Sequence, residues 1–392
     1  MLEDRSIGRK VFVGLSGGVD SSVSAALLKK AGFDVTGVFI KVWQPDWIEC
    51  TWKEEKREAM RAAAHLGIKF ETLDLSKEYK KDVIDYMIKE YSLGRTPNPD
   101  VMCNRSVKFG AFWKWAKENG ADYIATGHYV QIRKSSLRNI VPELKSNSEI
   151  QSSMAAKDER DIGFSMLAGV DKEKDQSYFL WTLNQNDLPH VMFPVGGLIK
   201  PEVRRLAKKF GLPNAEKKDS QGLCFIGKVD VKEFLAHYIN NEPGNVLNEN
   251  GEVIGRHPGA LFFTKGERHG FILDKKTPHD APYYVIDKDV EQNTLMVSNR
   301  DINRILPGAE KRVTIRNVNW VKGEVPIIRG HTSAYPFQAR GRYRQPLQNI
   351  RIVDVNFSET VIEFEMPQDT LSAGQSLVIY DGEECLGGGV IE

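Results

Sequence analysis

The sequence predicts an α/β protein: an N-terminal doubly wound parallel sheet, then a smaller region and a C-terminal β-rich part that reads as a small antiparallel β-barrel or sandwich. Three observations carry this expectation. Apolar strand-length runs alternate with helix-period segments through residues 10–126. Beyond residue 245 the texture turns β-rich, with Asn250-Gly251 and Pro258-Gly259 as turn signals. From residue 300 apolar and polar positions alternate with period two, the pattern of a half-buried antiparallel sheet. The expected domains are 1–215, 216–299 and 300–392.

Strands are expected at 11–15, 35–40, 68–73 and 123–126, and helices at 21–31, 53–66, 77–91 and 107–119. In such sheets ligands bind beyond the carboxyl ends of the strands. Three loops should converge there: 14–21, the stretch after Ile40, and Thr126-Gly127-His128-Tyr129. Residues 133–160 are crowded with Ser, Asn, Lys and Glu without a sustained period, which suggests a surface insertion. Residues 200–211 form a short basic helix, with Pro201 near its start and Gly211 at its end. Arg204, Arg205, Lys217 and Lys218 offer a phosphate-facing surface there, or simply a solvated face. Later strands are expected at 283–287, 294–298, 312–318, 351–356 and 360–365.

At 392 residues, with 41% apolar and 27% charged side chains, the chain is long enough for two or three domains with their own cores. No apolar run approaches the roughly 20 residues of a membrane span. The acidic start, Met1-Leu2-Glu3-Asp4, lacks an apolar signal core. Four cysteines are too few for a disulfide scaffold, so a cytoplasmic setting is expected. A net charge of +1 means that any nucleic-acid surface must be a local patch.

Gly14-Leu15-Ser16-Gly17-Gly18-Val19-Asp20-Ser21 lies between the first strand and the first helix. Glycines there let backbone N–H groups approach an anion at a helix N-terminus, and Ser16, Ser21 and Ser22 add hydroxyls. Asp20 beside a phosphate makes most sense with Mg2+ between them. The loop lacks the Gly-Lys-Ser/Thr of kinase and GTPase loops. It resembles the Ser-Gly-Gly-x-Asp-Ser loop of ATP pyrophosphatases, which adenylate an oxygen of their substrate.

Two cysteines stand in electropositive loops. Cys103 ends Pro97-Asn98-Pro99-Asp100-Val101-Met102-Cys103, expected as an extended loop just before the helix at 107–119. Arg105 and Lys108 would favour its thiolate, and Asp100 is placed to exchange a proton. Cys224 lies in Lys217-Lys218-Asp219-Ser220-Gln221-Gly222-Leu223-Cys224. Together they suggest a redox or sulfur-relay pair, although each alone reads more often as a small buried side chain. Neither has the spacing of a metal site, and no metal-ligand cluster is expected. Cys50 and Cys385 are read as structural. His128 follows Gly127 at a strand end, where a site residue and a hydrogen-bonded structural histidine are both reasonable.

The pyrophosphatase loop, the Cys103 and Cys224 motifs, Ala125-Thr126-Gly127-His128-Tyr129, Lys174-Asp175-Gln176-Ser177-Tyr178, Phe193-Pro194-Val195-Gly196 and the terminal Cys385-Leu386-Gly387-Gly388-Gly389 occur in order. Over nearly its whole length the chain resembles the bacterial tRNA-specific 2-thiouridylases. The resemblance implies adenylation by ATP of the C2 oxygen of the wobble uridine in tRNAs for Lys, Glu and Gln, followed by sulfur transfer. Cys224 would carry a persulfide supplied by a sulfur carrier or a cysteine desulfurase. Cys103 would be the catalytic nucleophile, and a Cys103–Cys224 disulfide the by-product. The persulfide is a sound donor because attack on it expels a stabilised thiolate.

By the same resemblance, Gly14, Leu15, Ser16, Gly17, Gly18, Val19, Asp20, Ser21, Ile40 and Gly127 would hold ATP. Asn98, Pro99 and Asp100 would meet the target base. His128, Lys174, Asp175, Gln176, Arg342, Tyr343 and Gln375 would contact tRNA, and the barrel would help to hold it. Departures from the family pattern are Val42 in Lys41-Val42-Trp43, Glu55 and Glu58 in place of two aspartates, Glu267 in Gly266-Glu267-Arg268, and the long 133–160 stretch. Rival readings are another ATP pyrophosphatase, such as a lysidine synthetase or an amidotransferase-type synthetase, and a non-catalytic tRNA-binding protein. The first needs no cysteine pair, and the second would not consume ATP.

Overall fold

The computed structural model describes residues 8–48, 52–136, 162–218, 230–240, 242–274, 281–299, 310–326, 333–356, 358–368 and 371–392. Cys50 and Cys224, and with them the sequence reading of their loops, lie outside the described residues.

The N-terminal part alternates β1 (Lys10–Gly14), α1 (Val19–Lys30), β2 (Asp34–Lys41), α2 (Trp52–Leu66) and β3 (Lys69–Asp74). A long helical run follows, α-helical at α3 (Ser76–Tyr79) and α4 (Tyr86–Ser92) and π-helical between them at Lys80–Asp85. The second long run starts at α5 (Pro99–Met102), continues through a π-helical Cys103–Ala111 and ends as α6 (Phe112–Glu118). The expectation of an extended loop up to Cys103 is therefore corrected. Asn98 caps the helix, its Oδ1 accepting from the Val101 N–H at 3.3 Å, and Pro99 occupies the first turn. Proline there loses no hydrogen bond, so the motif starts a helix rather than delaying one.

β4 (Tyr123–Ala125), β5 (Val130–Ser136), β6 (Ile162–Ala168) and β7 (Val191–Met192) follow, then α7 (Lys200–Lys209) and α8 (Val231–Ala236). The first sheet has order β3-β2-β1-β4-β7, parallel throughout. The crossovers diverge between β1 and β4, which opens a crevice beyond their carboxyl ends. Both faces of β1 are covered, so Val11, Phe12 and Val13 are all buried and the strand reads as a continuous apolar run.

The central unit is a five-stranded sheet in the order β10-β9-β8-β12-β11. It is built from β8 (Gly244–Leu247), β9 (Val253–His257), β10 (Ile272–Leu273), β11 (Tyr284–Asp289) and β12 (Thr294–Ser298). The last part comprises β13 (Glu310–Trp320), β14 (Phe337–Arg340), β15 (Gln348–Val355), β16 (Glu359–Gln368), β17 (Ser376–Asp381) and β18 (Glu384–Ile391). β13 pairs with both β16 and β18, which closes an antiparallel barrel of six strands. Its interior is filled by Val313, Ile315, Phe337, Ile350, Phe364, Leu377 and Ile379.

The stretch expected as a surface insertion from residue 133 is in part structured. β5 and β6 form a hairpin, and β6 pairs with β18, Met166 opposite Cys385. The hairpin thereby extends the barrel's sheet onto the N-terminal part. No local period announced it, because β5 and β6 are completed by a strand more than 200 residues away. Residues 137–161 lie outside the described set.

Candidate active site

Residues 14–18 turn sharply between β1 and α1, with Gly17 at φ +73°. A Cβ on Gly17 would stand 2.7 Å from the Glu55 carbonyl oxygen, so both conformation and space require glycine. Asn214 fixes the turn from below. Its Nδ2 donates to the Gly17 and Gly18 carbonyls at 2.9 and 3.1 Å and to Ser22 Oγ at 2.9 Å. Because peptides are planar and trans, carbonyls held on one side turn the following N–H groups to the other. The N-cap of α1 is Gly18, which offers no capping side chain. The first-turn donors therefore face the crevice with the positive end of the helix dipole, and Ser16 and Ser21 Oγ stand 3.4 Å apart beside them.

The loop after β4 closes on this turn. A Cβ on Gly127 would stand 2.7 Å from the Ser21 nitrogen and 2.8 Å from the Asp20 carbonyl carbon, so the two backbones touch. Of the other expected nucleotide residues, Leu15, Val19 and Ile40 are buried, and Gly14 ends β1. These four can meet a ligand through the backbone.

Asp20 is more heavily engaged than the sequence suggests. Lys200 Nζ donates to its two oxygens at 2.8 and 2.9 Å, and the Tyr129 hydroxyl donates to Oδ1 at 2.9 Å. The donor set does not fit a protein-held Mg2+. Both Asp20 oxygens already face an ammonium, and among the described residues no group of three His, Cys, Asp or Glu gathers. Lys200, Tyr129 and Asn214 are functional candidates that sequence reasoning passed over. The basic helix around Arg204 was noticed, but its first residue is the one that enters the crevice. Arg204 instead donates to the Ala215 and Lys217 carbonyls, and Lys217 pairs with Glu58. Of that expected phosphate-facing set, Arg205 and Lys218 are exposed. Burial raises the Glu55 carboxyl above its ordinary range, with Lys217 opposing and Glu58 adding to the rise.

Cys103 lies fully buried directly after α5, on the run that begins with Asn98, Pro99 and the half-buried Asp100. Its neighbour Asn104 donates from Nδ2 to the Phe179 carbonyl at 3.2 Å. The loop 173–179 thus spans from the Cys103 helix to the nucleotide turn. At its other end Gln176 N–H donates to the Tyr129 carbonyl at 3.1 Å, and Gln176 Oε1 accepts from the Tyr129 N–H at 3.1 Å.

The expected RNA contacts divide into two groups. Lys174 and Gln176 are partly exposed, and Tyr343 packs its ring 4.6 Å from Phe179 at the barrel's edge. Gln375 Nε2 donates to the Thr96 carbonyl at 2.8 Å, and Arg342 donates to the Lys265 carbonyl, so both also hold domains together. Two others face inward. Asp175 is buried, its Oδ1 accepting from the Gly169 and Ser177 N–H groups and its Oδ2 from Ser177 Oγ and Arg340. His128 is buried between Phe109 and Phe193, with Nδ1 2.7 Å from Thr126 Oγ1. Burial, and secondarily the Lys108 charge, hold its pKa well below the ordinary 6.5, so it is neutral. What these two contribute to RNA they contribute through the backbone they position. Cys385, read as structural, is buried with its thiol pushed up to about 12 by desolvation.

Comparison with known proteins bears on the whole chain. Residues 9–228 match the family model described as tRNA methyl transferase HUP domain. Residues 232–299 match that of the tRNA methyl transferase PRC-barrel domain, and 310–391 the aminomethyltransferase beta-barrel domain. The chain is 41% identical over 388 residues to the tRNA-specific 2-thiouridylase MnmA 2 of Geobacillus kaustophilus, covering 98% of this chain and 94% of that one. It is also 41% identical to the tRNA-specific 2-thiouridylase MnmA of Shewanella baltica, covering 100% and 98%.

Proposed function

The chain belongs to the tRNA-specific 2-thiouridylase family, and from that premise we propose that it replaces the C2 oxygen of the wobble uridine of tRNAs for Lys, Glu and Gln with sulfur. ATP occupies the turn at 14–18, its phosphates against the first-turn N–H groups of α1 and Ser16 and Ser21. The uridine O2 attacks the α-phosphorus, pyrophosphate leaves, and C2 then carries AMP as its leaving group. Cys224 arrives as a persulfide from a sulfur carrier or cysteine desulfurase. The Cys103 thiolate attacks the Cys224 Sγ, which forms the Cys103–Cys224 disulfide and expels hydrosulfide. Hydrosulfide adds at C2 and AMP departs, leaving 2-thiouridine. A thiol reductant returns two electrons to the disulfide before the next turnover. Asp100 takes the Cys103 proton.

The observation that supports this reading most is the loop 173–179, which joins the nucleotide turn through Tyr129 to the Cys103 helix through Asn104. Adenylation and sulfur transfer need one enclosed place, since activated base and persulfide both react with water or oxidants. Asn98 and Pro99 stand beside Cys103 to meet a flipped base. Lys174 and Gln176 of that loop, with Arg342, Tyr343 and Gln375 of the barrel, contact the anticodon arm in this reading. Mg2+, expected with ATP, would come bound to the phosphates; the chain's own described donors do not cage it, and no step here depends on it. No helix among the described residues is long and apolar enough to cross a membrane, and the reaction suits a reducing cytoplasm.

The test is thiolation of a wobble-uridine tRNA transcript with ATP, Mg2+ and a persulfide source, followed on mercury-retardation gels. Wild type should give a retarded band, and Cys103→Ser and Cys224→Ser none. No retarded band from wild type, with tRNA binding and pyrophosphate release intact, would favour an adenylating ligase without sulfur relay, and a band from both serine variants would remove the two cysteines from the transfer.

A further inference from the structure

We propose that Tyr129 carries the state of the RNA-facing loop to the nucleotide turn, so that seating tRNA at Gln176 sets the position of Asp20. The inference rests on the reading above, in which ATP lies at residues 14–18 and tRNA at 174–176.

Tyr129 bonds in both directions. Its peptide is gripped by Gln176 at two points, N–H to Oε1 and carbonyl to N–H, each at 3.1 Å. Its phenol reaches the other way and donates to Asp20 Oδ1 at 2.9 Å. Rigid packing between the two ends makes the connection mechanical. The tyrosine is 2% exposed, Lys200 Nζ stands 5.9 Å from its ring centroid, and a Cβ on Gly169 would lie 2.6 Å from its carbonyl oxygen. The loop is stiff at its own end, because Asp175 accepts from Gly169, Ser177 and Arg340. A displacement of Gln176 therefore has no slack before it reaches the Tyr129 peptide. Gln176 is itself partly exposed, and its amide Nε2 has no partner among the described residues, so an RNA acceptor can engage the side chain whose oxygen holds Tyr129.

Asp20 answers because its carboxylate is shared between the Tyr129 hydroxyl and Lys200. Where Asp20 sits fixes where the Lys200 ammonium sits, and that ammonium is held at 2.8 and 2.9 Å from the carboxylate of a first-turn residue of α1, the turn that the phosphates approach. Coupling of this kind serves the chemistry. Adenylation without a bound uridine would waste ATP, so the nucleotide turn should be completed by RNA.

The experiment measures pyrophosphate release from ATP with and without saturating tRNA transcript, together with tRNA retention on filters. Tyr129→Phe keeps the buried ring and the peptide bonds to Gln176 and removes only the hydroxyl. It should bind tRNA as wild type does, yet lose about tenfold of the stimulation by tRNA, the worth of one charge-assisted hydrogen bond. Gln176→Leu should lose the same stimulation at saturating tRNA, and so should Gln176→Glu, which keeps an acceptor for the Tyr129 N–H but removes the amide donor offered to RNA. The double variant Tyr129→Phe/Gln176→Leu should be no worse in stimulation than either single one. Stimulation in Tyr129→Phe equal to that of wild type overturns the proposal, as does full additivity in the double variant. A wild-type enzyme that releases no pyrophosphate, or binds no tRNA, would instead overturn the functional reading and leaves its mark in the wild-type arms alone.

Discussion

Asp175 Oδ2 and Arg340 Nη2 meet at 2.6 Å with only 6% and 11% of their side chains exposed, joining the 173–179 loop to the barrel wall. The guanidinium also lies 5.0 Å from the Tyr380 ring centroid, and Tyr380 accepts from it at 2.9 Å. Asp175 serves two backbone N–H groups and Ser177 besides, so the two partners are unequal. Asp175→Ala would strand a buried cation and two N–H donors, and should cost about 4 kcal/mol. Arg340→Met leaves the carboxylate three hydrogen bonds and should cost about half as much, roughly 2 kcal/mol. Urea unfolding of both variants checks the order, and a reversed order would make the ion pair, rather than the loop's N–H groups, the main use of Asp175.

Lys200 is expected to act on the nucleotide step alone. Lys200→Met should slow pyrophosphate release by about 10²–10³, the usual loss for one well-placed charged donor. Retention of tRNA on filters should not change, because the Lys200 ammonium is held by Asp20 in the first turn of α1. Wild-type pyrophosphate release in this variant would remove Lys200 from the site.

Two glycines give a controlled contrast. A methyl group on Gly127 would collide with the Ser21 nitrogen at 2.7 Å, whereas one on Gly197 meets nothing within 4 Å. Gly127→Ala should abolish ATP turnover by prising the β4 loop off the turn, and Gly197→Ala should be silent. Equal activity of the two would show that the turn tolerates displacement.

Acid should destabilise the protein through His128. Unfolded, the imidazole takes its proton near 6.5; folded, burial holds its pKa well below that value. Below pH 6.5 the unfolded chain therefore binds the extra proton, and stability, complete above that pH, falls as the pH drops. The slope from this one group approaches about 1.4 kcal/mol per pH unit. Urea unfolding between about pH 7 and pH 5.5 should show that slope in wild type and its loss in His128→Gln. An unchanged slope in the variant would mean that the folded protein accommodates the charged ring.

Cys385 should resist iodoacetamide in the native protein at neutral pH, because the buried thiol titrates only at about 12. Mass spectrometry of alkylated native and urea-unfolded protein checks this. Native labelling of Cys385 would mean that the β6–β18 junction opens.

Sequence reasoning went furthest where a feature is local. The parallel sheet was legible because β1 and β2 are continuous apolar runs buried on both faces, and the nucleotide turn because Gly17 and Gly127 answer to backbone geometry that short motifs encode. It stopped short where one residue's role depends on a distant partner. The Asn98-Pro99 pair reads as loop because two prolines bracket Asn98, whereas folded Asn98 caps α5 and Pro99 occupies its first turn, where proline loses no hydrogen bond.

By itself, then, the sequence determined the class of fold and singled out the glycine turn before α1 and the two cysteine motifs as candidates, all of which are written in contiguous residues. Only the tertiary structure decided that Lys200 and Tyr129 hold Asp20, that Asp175 and His128 turn inward, and that β6 completes the barrel's sheet. Those outcomes follow from charges and backbone groups that must find partners once buried, and for Asp20, Asp175 and β6 the deciding partners lie from 109 to more than 200 residues away, beyond the reach of any local pattern.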